Sequence, residues 1–373
     1  MDSTASPRPL ATAAPPAEVC ARASEKLKRF AGVGGVLANK YRVERVLGSG
    51  GMGFVVAARP LHSRREVAIK FPLPMVSRDE QRLAWFRREA RAARTIASSH
   101  VVRVLDVDVR DDGVPYFVME LLEGETLASF IRKRGRLRVA DAVDYLLEVS
   151  AAVAAAHATG IVHRDLKPTN VFLAHDSEHE QTVKLLDFGI SKGVADDPSA
   201  SAGDDMWCGS PPYMSPEQLT APQNVDRRTD IWGLGTILYE CLTGTSPFLL
   251  GRPEQLFVRI LQEPAAPIAT FRTDVPDALE QVVRHCLAKA KQHRFATIAD
   301  FAHALAPLSS SRARRPLWLI DTSFQHVRLP ETAPQEPRPA VRSTAPFALP
   351  TRVEATLSVA TSRCAACGRP SRV

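Results

Sequence analysis

A chain of 373 residues, 45% apolar and 24% charged, has room for one large domain or two small ones with flanks, and enough apolar residues for a sizeable core. No apolar run approaches the roughly 18 to 20 residues of a membrane-spanning helix, and the N-terminus lacks the charged start and apolar core of a secretory signal; a soluble, cytoplasmic protein is expected, with six reduced cysteines and no membrane partner. The net charge of +7 sits in the flanks: residues 306–373 carry ten Arg against four acidic residues and residues 1–40 six basic against three, which leaves residues 41–305 near −2 and says little of what the centre binds.

Residues 1–16 are rich in Ala, Pro, Ser and Thr, a composition that cannot bury enough apolar surface to order itself. Val19, Ala23, Leu27 and Phe30 follow at helical spacing. They form either a transient helix in a linker arm, since short isolated helices are marginal, or a segment docked on the core. From Tyr41 the pattern changes to short β-rich runs, 41–47, 54–59 and 66–71, the first two joined by Gly48-Ser49-Gly50-Gly51-Met52-Gly53. Glycines let backbone N–H groups approach phosphate oxygens without a Cβ in the way. Such a turn alone is often only a hairpin; here it lies between two strands, with Val55 two residues beyond its last Gly.

Lys70 closes the apolar run Val67-Ala68-Ile69, where an ammonium needs an anionic partner. The next element offers one. Ser77-Arg78-Asp79-Glu80 is a capping box, and Leu83, Phe86, Ala90, Ala93 and Ala97 mark one face of a helix ending near Ser98, with Glu89 bordering that face. Runs at 101–110 and 115–119 complete a five-stranded sheet.

Beyond Glu120-Leu121-Leu122-Glu123-Gly124 the pattern is helical. Residues 140–159 form an Ala-rich helix with Val143, Leu146, Leu147, Val153 and His157 inward, stopped by Gly160. A lone His on an apolar face reads as a packed structural residue. Residues 229–242 are apolar nearly all round, the mark of a helix at the centre of a domain, and Gly244 closes it. Helical patterns follow at 253–262, 277–289 and 298–305, where Cys286, like Cys241 before it, reads as core. From Pro307 the composition turns to Pro, Ser, Thr and Arg, a disordered tail in which the apolar run Leu317-Trp318-Leu319-Ile320 either docks back or binds a partner. Cys364 and Cys367 supply two of the four ligands of a structural zinc site; an exposed tail is the simpler reading, zinc shared with another chain the other. Cys208 reads as packed, or as redox-sensitive if its pKa is lowered.

The chemistry gathers in His163-Arg164-Asp165-Leu166-Lys167-Pro168-Thr169-Asn170, followed by Asp187-Phe188-Gly189. Phosphoryl transfer asks the protein to place a hydroxyl in line with a γ-phosphate and to neutralise charge with a hard metal ion, with little covalent chemistry of its own. An Asp, a Lys two residues on, an amide-bearing Asn and a second Asp ahead of a Gly are such a set. Along the chain stand the Gly-rich turn, Lys70, Glu89, this loop, Asp187 and then Ser215-Pro216-Glu217. In that order and on those elements, residues 41–305 resemble the eukaryotic-type (Hanks-type) protein kinases; Gly-Ser-Gly-Gly-Met-Gly and Tyr-Met-Ser-Pro-Glu-Gln resemble the wording of the bacterial serine/threonine protein kinases.

The resemblance implies an α+β, bilobal protein-kinase-like fold. A small N-lobe (41–119) would hold a five-stranded antiparallel sheet and one helix, a hinge (120–124) would follow, and the C-lobe (125–305) would be mostly helical, with a disordered arm (1–40) and tail (306–373). It implies ATP and Mg²⁺, or Mn²⁺, as cofactors and proteins with Ser/Thr acceptors as substrates. Asp165 would orient the acceptor hydroxyl and take its proton; Lys167 would stand beside the γ-phosphate, where its presence points to Ser/Thr rather than Tyr. Lys70, held by Glu89, would meet the α/β-phosphates, and Asn170 and Asp187 would hold the metal. Around the nucleotide the resemblance sets the turn, Leu47, Gly48, Ser49, Gly50, Gly51, Met52 and Gly53, then Phe54, Val55 and Ala68. Met119 would be gatekeeper, with Glu120 and Leu122 in the hinge and Leu173 below the adenine.

Structural and regulatory roles are implied as well. Glu217 and Arg294 would pair under the activation segment, Asp230 would brace the catalytic loop, Gly189 would let the metal loop move, and Phe188 beside it would be structural or regulatory. Arg164 would pair with a phosphate on the activation segment, so autophosphorylation is expected at Ser199 or Ser201, through a transient homodimer; Ser210, at the position facing the substrate hydroxyl, is structural in that reading. Ala93 stands where many kinases, though not all bacterial relatives, place a larger apolar residue in the stack linking the lobes. A pseudokinase scaffold acting through the basic flanks is the alternative, and it needs a lost catalytic part; Lys70, Glu89, Asp165, Asn170 and Asp187 are all present. Nucleic acid is not expected as a partner, because the tail arginines are spread and aromatics are few.

Overall fold

Phe54, Val56 and Ala58 on one strand and Val67, Ile69 and Phe71 on its neighbour alternate to one face of a sheet, where they join Leu37, Val43, Tyr116 and Val118 in a small apolar core. The strands that carry them are β2 (Tyr41–Ser49), β3 (Gly53–Pro60), β4 (Val67–Pro72), β5 (Val104–Val109) and β6 (Pro115–Glu120). Phe54 and Phe71 are direct partners in register, and their rings stack at 5.3 Å. The opposite face is covered by α1 (Glu80–Thr95), whose Phe86 meets Phe117 at 5.2 Å.

This computed structural model describes residues 32–49, 53–73, 80–175, 180–188, 211–249, 252–310, 312 and 314–325. The arm helix at 19–30, the Ser77 cap, Gly50, Gly51, Met52, Gly189, Ser199, Ser201, Cys208, Ser210, Cys364 and Cys367 lie outside them.

The expected five-stranded sheet has six strands in the order β1-β2-β3-β4-β6-β5, every pair antiparallel. The extra strand, β1 (Val36–Leu37), comes from the stretch read as a disordered arm, and buried Leu37 seals the small core. Two residues carry no periodicity, so the strand leaves no mark in the pattern. The ordered domain thus begins ahead of Tyr41.

A second sheet of β7 (Glu123–Thr126), β8 (Val171–His175) and β9 (Gln181–Leu185) follows the first, and a parallel bridge from Val101 to Leu185 helps tie the lobes together. The larger lobe is built on α3 (Val139–Ala158) and α5 (Arg228–Thr243). From Ile231 to Tyr239 every large apolar side chain of α5 is fully buried. Its small residues are there for contact: a Cβ on Gly235 would lie 2.4 Å from the Cβ of Cys286. Cys241 and Cys286 are both buried core residues, as expected.

Helices α2 (Leu127–Arg134) and α4 (Pro216–Thr220) start at Thr126 and at a Ser215–Gln218 capping box, and α6 (Leu256–Gln262), α7 (Asp277–Cys286) and α8 (Ile298–Leu305) complete the lobe. The tail reading is corrected by α9 (Arg314–Gln325), which packs along α3 and α8. Ile320 is fully buried, Leu317 and Leu319 are half-buried, and Asp321 pairs with His303 of α8 at 3.2 Å. Docking of the 317–320 run wins because Ile320 completes the main core, although the surrounding composition reads as disorder. Among the described residues no helix is long and apolar enough to cross a membrane.

Candidate active site

Four elements converge between the lobes. Strand β4 presents Lys70, 5% exposed, and α1 presents Glu89, also 5% exposed; Lys70 Nζ lies 2.6 Å from Glu89 Oε1. The stretch after β9 presents Asp187, whose Oδ1 is 2.8 Å from the same ammonium. Burial alone would push the Lys70 ammonium down, but the carboxylates of Asp187 and Glu89 together hold it above its ordinary range. Burial pushes the Glu89 carboxyl up, with Lys70 opposing it.

The fourth element is the loop between α3 and β8. Lys167 Nζ donates to Asp165 Oδ2 at 2.9 Å, and Asn170 Nδ2 donates to the Asp165 carbonyl at 2.9 Å and to Oδ2 at 3.2 Å. That fixes the amide of Asn170 by its nitrogen and leaves its oxygen as a donor to a cation. Among the described residues no group of three or more His, Cys, Asp or Glu is placed to hold a metal. The Asn170 amide and the Asp187 carboxylate are hard oxygen donors of the kind a divalent metal takes when phosphate and water complete its shell.

The loop is held from below. Asp230 Oδ2 accepts from His163 N at 2.8 Å, and Oδ1 accepts from Arg164 N at 2.9 Å. This supports Arg164 at φ 65°, a left-handed backbone conformation that costs a non-glycine residue free energy. Asp187 is also left-handed, at φ 44°. Burial would raise the Asp230 carboxyl, but the hydrogen bond and charge of His157 hold it below the usual range. Fully buried His163 packs its ring 4.7 Å from that of Phe188, and burial lowers its pKa.

Glu217 and Arg294 form a bidentate pair, 2.7 and 2.9 Å, with Thr229 Oγ1 donating to the same carboxylate at 2.7 Å. Sequence reasoning missed Thr229, and it also missed Gln218, whose Nε2 donates to the Arg164 carbonyl at 2.8 Å. In the sequence Gln218 stands only as the last residue of Tyr-Met-Ser-Pro-Glu-Gln. His157, read as packing, is a hydrogen-bond partner of Asp230 at 2.7 Å.

Most residues expected around the nucleotide fall together. Val55 opposes Lys70 and Ala68 opposes Met119 in register, and Ala68, Met119, Leu173 and Phe188 share the main core, with Val55 and Leu122 at its edge. Gly53 lies where β3 passes close to β4; a Cβ there would sit 2.4 Å from the Phe71 carbonyl oxygen. Leu47, 43% exposed, and Gly48 and Ser49 end β2 ahead of the turn. One expectation needs correction. The Phe54 ring is in the small core on the far face of the sheet, because adjacent strand residues point to opposite sides. The Glu120 carboxylate is engaged by Lys184 at 2.8 Å and by Arg103 N at 2.9 Å.

Residues 41–305 match the family described as protein kinase domain. The chain is 34% identical over 279 residues to a probable serine/threonine-protein kinase of Clostridium acetobutylicum, covering 75% of this chain and 41% of that protein. To the serine/threonine-protein kinase pkn3 of Myxococcus xanthus it is 33% identical over 317 residues, covering 83% and 58%. The chain spans 38% to 58% of the length of such curated relatives. The crystal structure of the Mycobacterium tuberculosis PknI kinase domain superposes with a TM-score of 0.58 at 28% identity, covering 74% of this chain and 98% of that one. Sequence match, fold and converging side chains agree, and the chain belongs to the protein kinase domain family.

Proposed function

We propose that the chain is a protein serine/threonine kinase that transfers the γ-phosphoryl group of ATP, with a divalent metal, to Ser or Thr hydroxyls of proteins. The observation that carries this reading is the shared ammonium of Lys70, 2.6 Å from Glu89 and 2.8 Å from Asp187, facing a loop whose Lys167 and Asn170 both donate to Asp165. Asp165 orients the acceptor hydroxyl and takes its proton as the oxygen attacks phosphorus. Lys167 places a positive charge beside the oxygens that gain charge in transfer. Lys70, kept in place by Glu89, holds the phosphates in line. A metal on Asn170 and Asp187 would neutralise phosphate charge when bound.

The test is transfer of labelled phosphate from ATP with Mg²⁺ to a generic basic protein, comparing the natural chain with Asp165→Ala and Lys70→Met. Each substitution should cut transfer by roughly 10²-fold or more, and chelating the metal should abolish it. Equal labelling by all three proteins would sink the reading.

Control through autophosphorylation of the segment between Asp187 and Glu217 belongs to the same reading. Arg164 supports it as the cation beside Asp165 that a phosphate could engage, with Ser199 and Ser201 as acceptors. Mass spectrometry after incubation with Mg-ATP should find one of them modified; finding neither counts against it.

A further inference from the structure

Glu148, 5% exposed in the middle of α3, is a buried carboxylate that the reaction described above does not use. Its Oε2 accepts from the backbone N–H of Val183 in β9 at 2.7 Å. Its Oε1 accepts from Arg312 Nη2 at 2.9 Å, and the same guanidinium nitrogen donates to the Gln181 carbonyl, also in β9, at 2.8 Å. Tyr145, one turn before Glu148, donates to the Gln181 side chain at 2.6 Å, and its ring lies 5.9 Å from the Arg312 guanidinium carbon. Arg312 is itself seated: the Ser310 backbone N–H donates to Asp144 of α3 at 3.0 Å, and α9 follows with Ile320 in the core.

Strand β9 is where this cluster meets the chemistry. Its far end, Leu185, donates its N–H to the His100 carbonyl at 2.7 Å and accepts from Val102 N at 3.1 Å. Residues 100–102 belong to the loop that leaves α1, the helix of Glu89, and Asp187 stands two residues beyond Leu185. His100 closes the ring, with Nδ1 3.1 Å from the Val183 carbonyl. Asp187 thus follows directly on β9, and the loop that leaves the helix of Glu89 is bonded to the end of the same strand, which is clamped at its start by Glu148 and Arg312.

We infer that Arg312, which lies outside the 41–305 family match, is a positioning residue for phosphoryl transfer: through Glu148 it fixes β9, and through β9 the placement of Asp187 and Glu89. The inference rests on the kinase reading above for its effect on catalysis, while its mechanical part stands on the contacts alone. Without Arg312 a buried carboxylate loses a cation that answers it, and such a group pulls in water or shifts its surroundings. Misplacement of a reacting group by a fraction of an ångström is enough to slow transfer, even from a distant cause.

The experiment uses the full chain carrying Arg312→Ala, Arg312→Lys, or Arg312→Ala with Glu148→Gln, and reads kcat, KM for the protein substrate, and amide hydrogen exchange. Arg312→Ala is expected to lower kcat roughly five- to tenfold with KM little changed. Exchange at Val102, Val183 and Leu185 should quicken, while the amides of α5 keep their protection. Arg312→Lys keeps the charge and should recover part of both. Adding Glu148→Gln should recover most of the loss, because a neutral amide needs no cation and can still accept from Val183 N. Wild-type exchange and kcat in Arg312→Ala would overturn the proposal. So would a loss that Glu148→Gln fails to recover, or one that spreads equally through α5, since that is a merely structural role. If the natural chain transfers no phosphate, the kinase reading fails, and the exchange pattern by itself decides the role of Arg312.

Discussion

His157 and Asp230, 73 residues apart in the chain, share a 2.7 Å hydrogen bond beneath the loop that carries Asp165. The same carboxylate accepts the N–H groups of His163 and Arg164, so both its oxygens are committed. Asp230→Asn keeps one acceptor oxygen and turns the other into a donor facing donors. Steady-state kinetics should show kcat reduced roughly 10- to 100-fold. His157→Phe keeps volume and loses the bond, so the expectation is a loss of a few-fold in kcat and a fall of a few degrees in Tm. Unchanged kcat in Asp230→Asn would show that the loop holds its left-handed Arg164 without this support.

The pair of Glu217 and Arg294 sets a pH dependence. Burial alone would raise the Glu217 carboxyl; the hydrogen bonds and charge of Arg294 outweigh it and hold the group below its ordinary value of 4.5. A carboxyl whose pKa is lowered by folding stabilises fully above its unfolded value, and that share is lost as pH falls through the folded value. Glu217→Gln should therefore lower Tm near neutral pH, and its gap from the natural chain should close as pH falls below about 4.5. Thermal melts across that range check this, and a gap constant with pH would refute it.

Two glycines of α5 separate catalysis from stability. A Cβ on Gly233 would lie 2.7 Å from the Cβ of Leu166, the residue after Asp165, whereas one on Gly235 would lie 2.4 Å from the Cβ of Cys286. Gly233→Ala should push on the loop that carries Asp165 and, on the proposed function, lower kcat several-fold. Gly235→Ala should instead cost about 1–3 kcal/mol of stability with kcat little changed in the folded protein. Denaturant titrations and kinetics on both variants test the contrast, and equal kcat losses would contradict it.

Ala93 lines a cavity of about 360 Å³ together with Ile96, Val101, Arg103, Val104 and Glu120. The small side chain, where many kinases place a larger one, thus borders open space beside the helix of Glu89. Ala93→Leu should fill part of it and stabilise by about 0.5–2 kcal/mol. A lower Tm in that variant would show that the space does not admit the side chain.

The side chains that converge between the lobes were legible because a charged group in an apolar setting demands a partner. Lys70 in an apolar strand demanded a carboxylate, and the capped helix after it supplied Glu89. Partners such as Gln218, Thr229 and His157 were not legible, since each has an ordinary local explanation as cap, core polar or packed ring. Strands β7 to β9 are too short to show alternation, and β1 has only two residues. The side of the sheet taken by Phe54 was readable from strand alternation, which sets it opposite Val55. Tertiary contacts, burial of Ile320 foremost, distinguish α9 from the Pro- and Arg-rich sequence around it.

Because Ile320 sits in the main core, α9 shares the thermodynamic fate of the lobe it completes. The cooperative unit runs past the family match to Gln325, so α9 should melt in the same transition as α3 and α8 rather than fray first. The surface exposed on unfolding, and with it the denaturant slope, belongs to this longer unit.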